Sequence, residues 1–257
     1  MRTMVLLLCV LVASAAWGGG ADDAVEVRIR SDNGREIPFY QVSARMPNRK
    51  FYAEATRGDQ YGIVVRNRLN RRVGIVIAVD GRNIITGKKS WLGNDERMYI
   101  LEPYGEGEFT GWRTGDDRVN RFYFTTADDS YAAAFNDGSA MGVIAVAVYP
   151  EQRYEPPVEM YRGSSWSPLP APSAQKKAMA ADKSESAGTG YGREEYSPVR
   201  VVAFEPERVA REKIYIKYEW RETLCRKGII ACGRPLPPPG NRMWDEDGYA
   251  APPPGRK

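Results

Sequence analysis

Two runs rich in β-branched residues constrain the fold most: Tyr61-Gly62-Ile63-Val64-Val65-Arg66 and Val73-Gly74-Ile75-Val76-Ile77-Ala78-Val79. Branching at Cβ favours the pleated strand over the helix. Both runs are nearly continuous, the pattern of strands at the centre of a core. Residues 67–72 separate them and read as a polar hairpin tip. Residues 24–30 alternate apolar and polar, as a half-buried strand does, and Asp32-Asn33-Gly34 supplies the turn after it. Residues 37–44, 50–55, 84–85, 98–101, 108–113, 119–125 and 141–149 add further short β candidates. Within 119–125, Phe122 and Phe124 face one way and Tyr123 the other. No window carries a long helical period. About eight to ten short strands with frequent Gly turns predict an all-β fold, a β-sandwich or jelly-roll-like domain.

The composition divides the chain. Residues 22–150 form the main β block, and 151–198 read as a flexible low-complexity linker rich in Pro, Ala, Ser, Gly, Lys and Glu. Such a segment buries too little apolar surface to offset chain entropy, so a long disordered insertion is expected. Residues 199–233 resume structure, with strands expected over 199–204 and 213–219 and a short helix over 221–227 ended by Gly228. This part is too small for its own core and is expected to dock on the main block. Residues 234–257 contain Pro-Pro-Pro twice and read as an extended Pro-rich C-terminal tail.

The N-terminus has the form of a secretory signal peptide over residues 1–21: Arg2, an apolar run from Met4 to Val12, then Ala13-Ser14-Ala15-Ala16. The apolar stretch is shorter than the roughly 20 residues a membrane helix needs. An exported protein is expected, in the periplasm, at the cell surface or secreted, with no transmembrane span after signal cleavage. Cys225 and Cys232 would then remain, and an oxidising compartment favours a disulfide between them. Residues 22–150 hold 18 basic and 18 acidic residues, and the net +4 of the chain comes mainly from 199–257. A neutral main block argues against nucleic acid as a partner.

The strings VIAVDGRNIITGK, YILEPYGEGEFTGWR, FYFTTADDSYAA and GVIAVAVYPE, with the distal VRVVAFEP and IYIKYEWRETLCRKGI, resemble a group of bacterial exported β-rich proteins with no assigned activity. The resemblance covers most of residues 60–230. It implies export and one composite domain, and it carries over no functional residues.

The chain has no histidine. Ser-His-Asp, Cys-His and His-ligated metal sites are therefore excluded within it. No GxxxxGK[ST] loop occurs, and no cofactor or metal site is expected. Asp95-Glu96, Asp116-Asp117 and Asp128-Asp129 are adjacent acids that a carboxylate-based glycoside-active enzyme could use. The same pairs fit turns, where Asp bonds its own backbone. Arg66, Arg68, Arg71 and Arg72 form the sharpest charge cluster, either an anion site or a solvated tip that prevents edge pairing. Trp91, Tyr104 and Trp112 are candidate contact residues for sugars or a partner. The expected function is a non-enzymatic exported envelope protein, a structural or protein-interaction β-sandwich. Its partner would be an envelope protein or a surface polysaccharide. The alternative is a carbohydrate-binding module using Trp91 and Trp112.

Overall fold

A computed structural model describes residues 23–43, 48–153 and 186–232. The expected signal peptide, the Pro-rich tail and most of the low-complexity linker lie outside the described residues.

The fold is an all-β sandwich of two sheets. The first has the order β1 (Val25–Ser31), β4 (Gln60–Asn67), β10 (Arg118–Thr126) and β12 (Ala187–Thr189). Attached to it are β8 (Glu106–Phe109) on β4, and β9 (Gly111–Arg113) and β13 (Glu194–Tyr196) on β10. The second has the order β2 (Phe39–Ser43), β3 (Asn48–Ala55), β14 (Glu212–Trp220), β11 (Val143–Pro150), β5 (Val73–Val79) and β6 (Arg82–Asn83). A short strand, β7 (Tyr99–Leu101), also pairs with β5. The distal strand β14 lies between β3 and β11, parallel to one and antiparallel to the other.

The alternation in β1 has a direct cause. Val25, Val27 and Ile29 enter the core, while Glu26, Arg28 and Arg30 face outward. Arg28 there meets Glu36 at 3.1 Å and Glu106 at 2.5 Å. β5 does not alternate because both faces are covered. Val73, Ile75, Ile77 and Val79 face the first sheet, whereas Val76 and Ala78 pack outward with Leu92, Ala145, Ala147 and Tyr149. In β10, Phe122 and Phe124 are buried and Tyr123 is not. Tyr61 stacks between them at 5.4 and 4.3 Å, so aromatic rings fill the space between the sheets.

Three expectations are corrected. β4 and β5 belong to different sheets, so residues 67–72 form a corner between sheets rather than a hairpin tip. Asn67 holds this corner, donating to the carbonyls of Arg71 and Glu102 and accepting from the Leu69 N–H. Part of the expected linker is ordered: residues 187–189 and 194–196 pair with β10. Residues 199–204 belong to no strand, although their composition is that of one.

The helix α1 (Arg221–Arg226) ends in a Schellman turn. Gly228, at φ +67°, donates to the Cys225 carbonyl, and Ile229 donates to that of Leu224. A disulfide joins Cys225 to Cys232 across this turn, with a Cα separation of 5.4 Å. Among the described residues, no helix is long and apolar enough to cross a membrane.

Candidate polypeptide-docking groove

The residues singled out in the sequence fall in different places. Trp112 is buried, its indole N–H donating to the Gly190 carbonyl at 3.0 Å and its ring edge-on to Phe122. It is a core residue and offers no face to a ligand, so Trp91 and Trp112 do not form a joint surface. Trp91 is 78 % exposed and Tyr104 60 % exposed. Lys89 Nζ lies 5.5 Å above the Trp91 ring. Arg66 is exposed, and Arg68 comes within 4.0 Å of Asp23. Arg71 donates to Glu207 at 2.7 Å, and Arg72 forms an ion pair with Glu151. Arg72 also donates to the Ala203 carbonyl at 3.3 Å, so two of the four arginines fasten the distal chain to the corner instead of presenting a free cationic tip. The three acid pairs sit in turns or bends. Glu96 accepts from the N–H groups of Trp91 at 2.8 Å and Gly93 at 3.0 Å. Burial opposes its ionisation, but hydrogen bonds from Gly93, Ser90, Asn83 and Trp91 outweigh that and hold its pKa below the ordinary value. Among the described residues no group of three or more His, Cys, Asp or Glu could hold a metal.

The structure draws attention instead to residues 200–204, Arg-Val-Val-Ala-Phe. Both ends of this stretch are pinned. Before it, the N–H groups of Ser197 and Val199 donate to the carbonyls of Asp117 and Asp116 at 2.7 and 2.8 Å. After it, Glu205 accepts from the Gln152 N–H at 2.8 Å, and Pro206 bridges to Glu151. Phe204 packs over Gly74 of β5, where a Cβ would lie 2.7 Å from its ring. Between these anchors, the N–H groups of residues 200–204 donate no hydrogen bond to any described residue. Val201 is 92 % exposed.

Beside this stretch lies a groove of about 710 Å³. Its walls include Ile85, Met98, Tyr99, Arg113, Val202 and Phe204. Tyr99 and Ile100 belong to β7, which pairs with β5 on one side and meets no described strand on the other. Arg113 is fixed by Tyr99 Oη at 2.7 Å and the Ser197 carbonyl at 2.8 Å. Burial raises the Tyr99 pKa, against the lowering effect of Arg113. The charged lining is balanced: Arg97, Arg113 and Arg200 against Glu96, Glu102 and Asp116. The groove therefore offers apolar walls and backbone N–H groups with no described partner rather than a field of one sign.

A second feature escaped the sequence reading. Asp80, read there as part of a turn, is fully buried at φ +49°. Its carboxylate accepts from the N–H groups of Gly142 and Thr189, each at 2.7 Å, and from the Tyr218 hydroxyl at 2.5 Å. The Tyr218 oxygen is then left to accept from the Thr189 hydroxyl, which accepts from Tyr61, both at 2.7 Å. The chain Tyr61–Thr189–Tyr218–Asp80 crosses from one sheet to the other at Thr189–Tyr218, and every hydroxyl in it has a partner.

Comparison with family models, with curated proteins and with solved structures found no match to this chain.

Proposed function

We propose that this protein is a non-enzymatic exported envelope protein, a β-sandwich that binds another polypeptide by accepting an extended segment beside residues 200–204. One observation carries the reading: five consecutive residues of strand composition, pinned at both ends, donate no backbone hydrogen bond to any described residue and lie beside a groove with apolar walls. Natural proteins normally cover or disrupt such an edge, because it templates pairing with another chain. Where it is kept, main-chain hydrogen bonds supply affinity and the groove supplies side-chain pockets. Export is supported by the N-terminal signal pattern and by the Cys225–Cys232 disulfide. The placement of the acid pairs in turns and the absence of histidine favour binding over catalysis.

The test compares immobilised wild type with Val201→Glu, each exposed to the envelope fraction of the native cell. A polypeptide retained by wild type and by Trp91→Ala, but released by Val201→Glu, is the expected result. No retained polypeptide, or equal retention by all three, would overturn the reading.

A further inference from the structure

Arg82 is the anomaly among the buried cations. The buried Arg121 has two carboxylate partners, Asp32 and Glu195, and Arg49, little exposed, pairs with Asp23 and Glu212. Arg82 is more than nine-tenths buried, yet no carboxylate lies within ion-pair distance among the described residues. Its Nη1 donates to the Gly87 carbonyl at 2.7 Å, and its Nε is buried with no hydrogen-bond partner. Its Nη2 makes no hydrogen bond to any described residue, and it is not among the solvent-sealed atoms. A buried guanidinium without a counter-charge is costly unless an anion completes it.

The surroundings supply rings. The Arg82 guanidinium lies 3.9 Å from the centroid of Phe135, which is 50 % exposed. Tyr131 meets Phe135 edge-on at 5.1 Å and stacks with Tyr191 at 5.5 Å. Tyr191 is 47 % exposed. Tyr131 is itself backed by the buried Trp112 at 4.3 Å, so the surface rings rest on the core. The loops are locked together: Gly87, at φ +66°, faces the Tyr131 hydroxyl at a distance that leaves no room for a Cβ. Lys89 adds a second cation at the same end, 3.5 Å from Asp137.

From this arrangement we infer a binding site for a carboxylate-bearing saccharide, with Arg82 receiving the carboxylate and the exposed Phe135 and Tyr191 rings, steeply inclined to each other, each packing against C–H surface of the saccharide. A planar guanidinium matches a carboxylate through charge-assisted hydrogen bonds. A pyranose ring offers an apolar face that an exposed aromatic ring covers, which a free anion does not. The loops are held before any ligand arrives, so little ordering is needed on binding. This site is separate from residues 200–204 and does not depend on the polypeptide reading.

The test titrates the full chain with a mannuronate hexasaccharide and with cellohexaose, a neutral chain of equal length, following tryptophan fluorescence. Saturable binding of the uronate chain is expected, with cellohexaose weaker by about tenfold or more. Arg82→Gln should weaken the uronate chain by about tenfold or more. Phe135→Ala and Tyr191→Ala, at exposed positions that folding tolerates, should each weaken it roughly threefold. Val201→Glu should leave it unchanged. Absence of saturable uronate binding, equal binding of cellohexaose, or unchanged affinity in Phe135→Ala and Tyr191→Ala would overturn the inference.

Discussion

Tyr218 donates its hydroxyl proton to Asp80 at 2.5 Å, and neither side chain reaches solvent. This contact ends a chain of hydroxyls that joins the two sheets through Thr189 and Tyr61. Burial pushes the Asp80 pKa up from 3.8 to about 6, with the hydrogen bonds from Tyr218, Thr189 and Gly142 holding it from rising further.

That rise fixes a sign. The folded state binds the Asp80 proton more tightly than the unfolded chain does. The contribution of this group to stability is therefore complete below the unfolded pKa and is lost as pH rises through about 6. The stability of wild type minus that of Asp80→Asn, from denaturant unfolding, should fall by about 2 kcal/mol between pH 4 and pH 7. A difference that is flat or rises with pH would contradict the burial of an ionisable group there.

The two tyrosines should not be equivalent. Tyr218→Phe removes a donor to Asp80 and leaves the Thr189 hydroxyl without its acceptor, at a cost of about 1–3 kcal/mol. Tyr61→Phe removes only the outer end of the chain and should cost about 1 kcal/mol. Unfolding midpoints of both variants, at constant m-value, check the order.

At the other end of the sandwich, Glu212 is fully buried and meets Arg49 at 2.5 Å as an ion pair, while also accepting from the Ala24 N–H at 2.9 Å. Arg49→Met leaves that carboxylate uncompensated and should destabilise the fold by about 3–5 kcal/mol. The double change Arg49→Met with Glu212→Leu should recover part of the loss: the Glu212 charge is gone, but Asp23 stays without Arg49 and the Ala24 N–H loses its acceptor. Thermal unfolding of the two variants distinguishes these outcomes.

The tryptophans make a simple contrast. Trp112→Ala opens a cavity beside Phe122 and should cost about 3–5 kcal/mol. Trp91→Ala lies on the surface and should change stability by less than about 0.5 kcal/mol. Comparable losses at both positions would contradict the burial assigned to them.

The sequence reveals what a strand shows of its own environment. β1 alternates because one face is wet, and β5 does not because both faces are covered, so both are legible in their residue order. Pairing is a different matter. Residues 199–204 have the composition of a strand, but whether a neighbour is present depends on chain far away. Trp112 and Trp91 are the same residue type, and only the arrangement of β9 and β10 places one inside. Asp80-Gly81 correctly reads as a turn. Its buried role depends on donors at positions 142, 189 and 218, separated from Asp80 by 62, 109 and 138 residues, which no local pattern connects.

The N–H groups of residues 200–204, which donate to no described residue, carry the polypeptide reading, and amide hydrogen exchange reads them directly. In the isolated chain these amides should exchange at the rate of an open peptide, while those of β14 remain protected. Adding the polypeptide retained by wild type should slow them selectively. Protection comparable to β14 in the isolated chain, or no slowing when that polypeptide is added, would contradict the account.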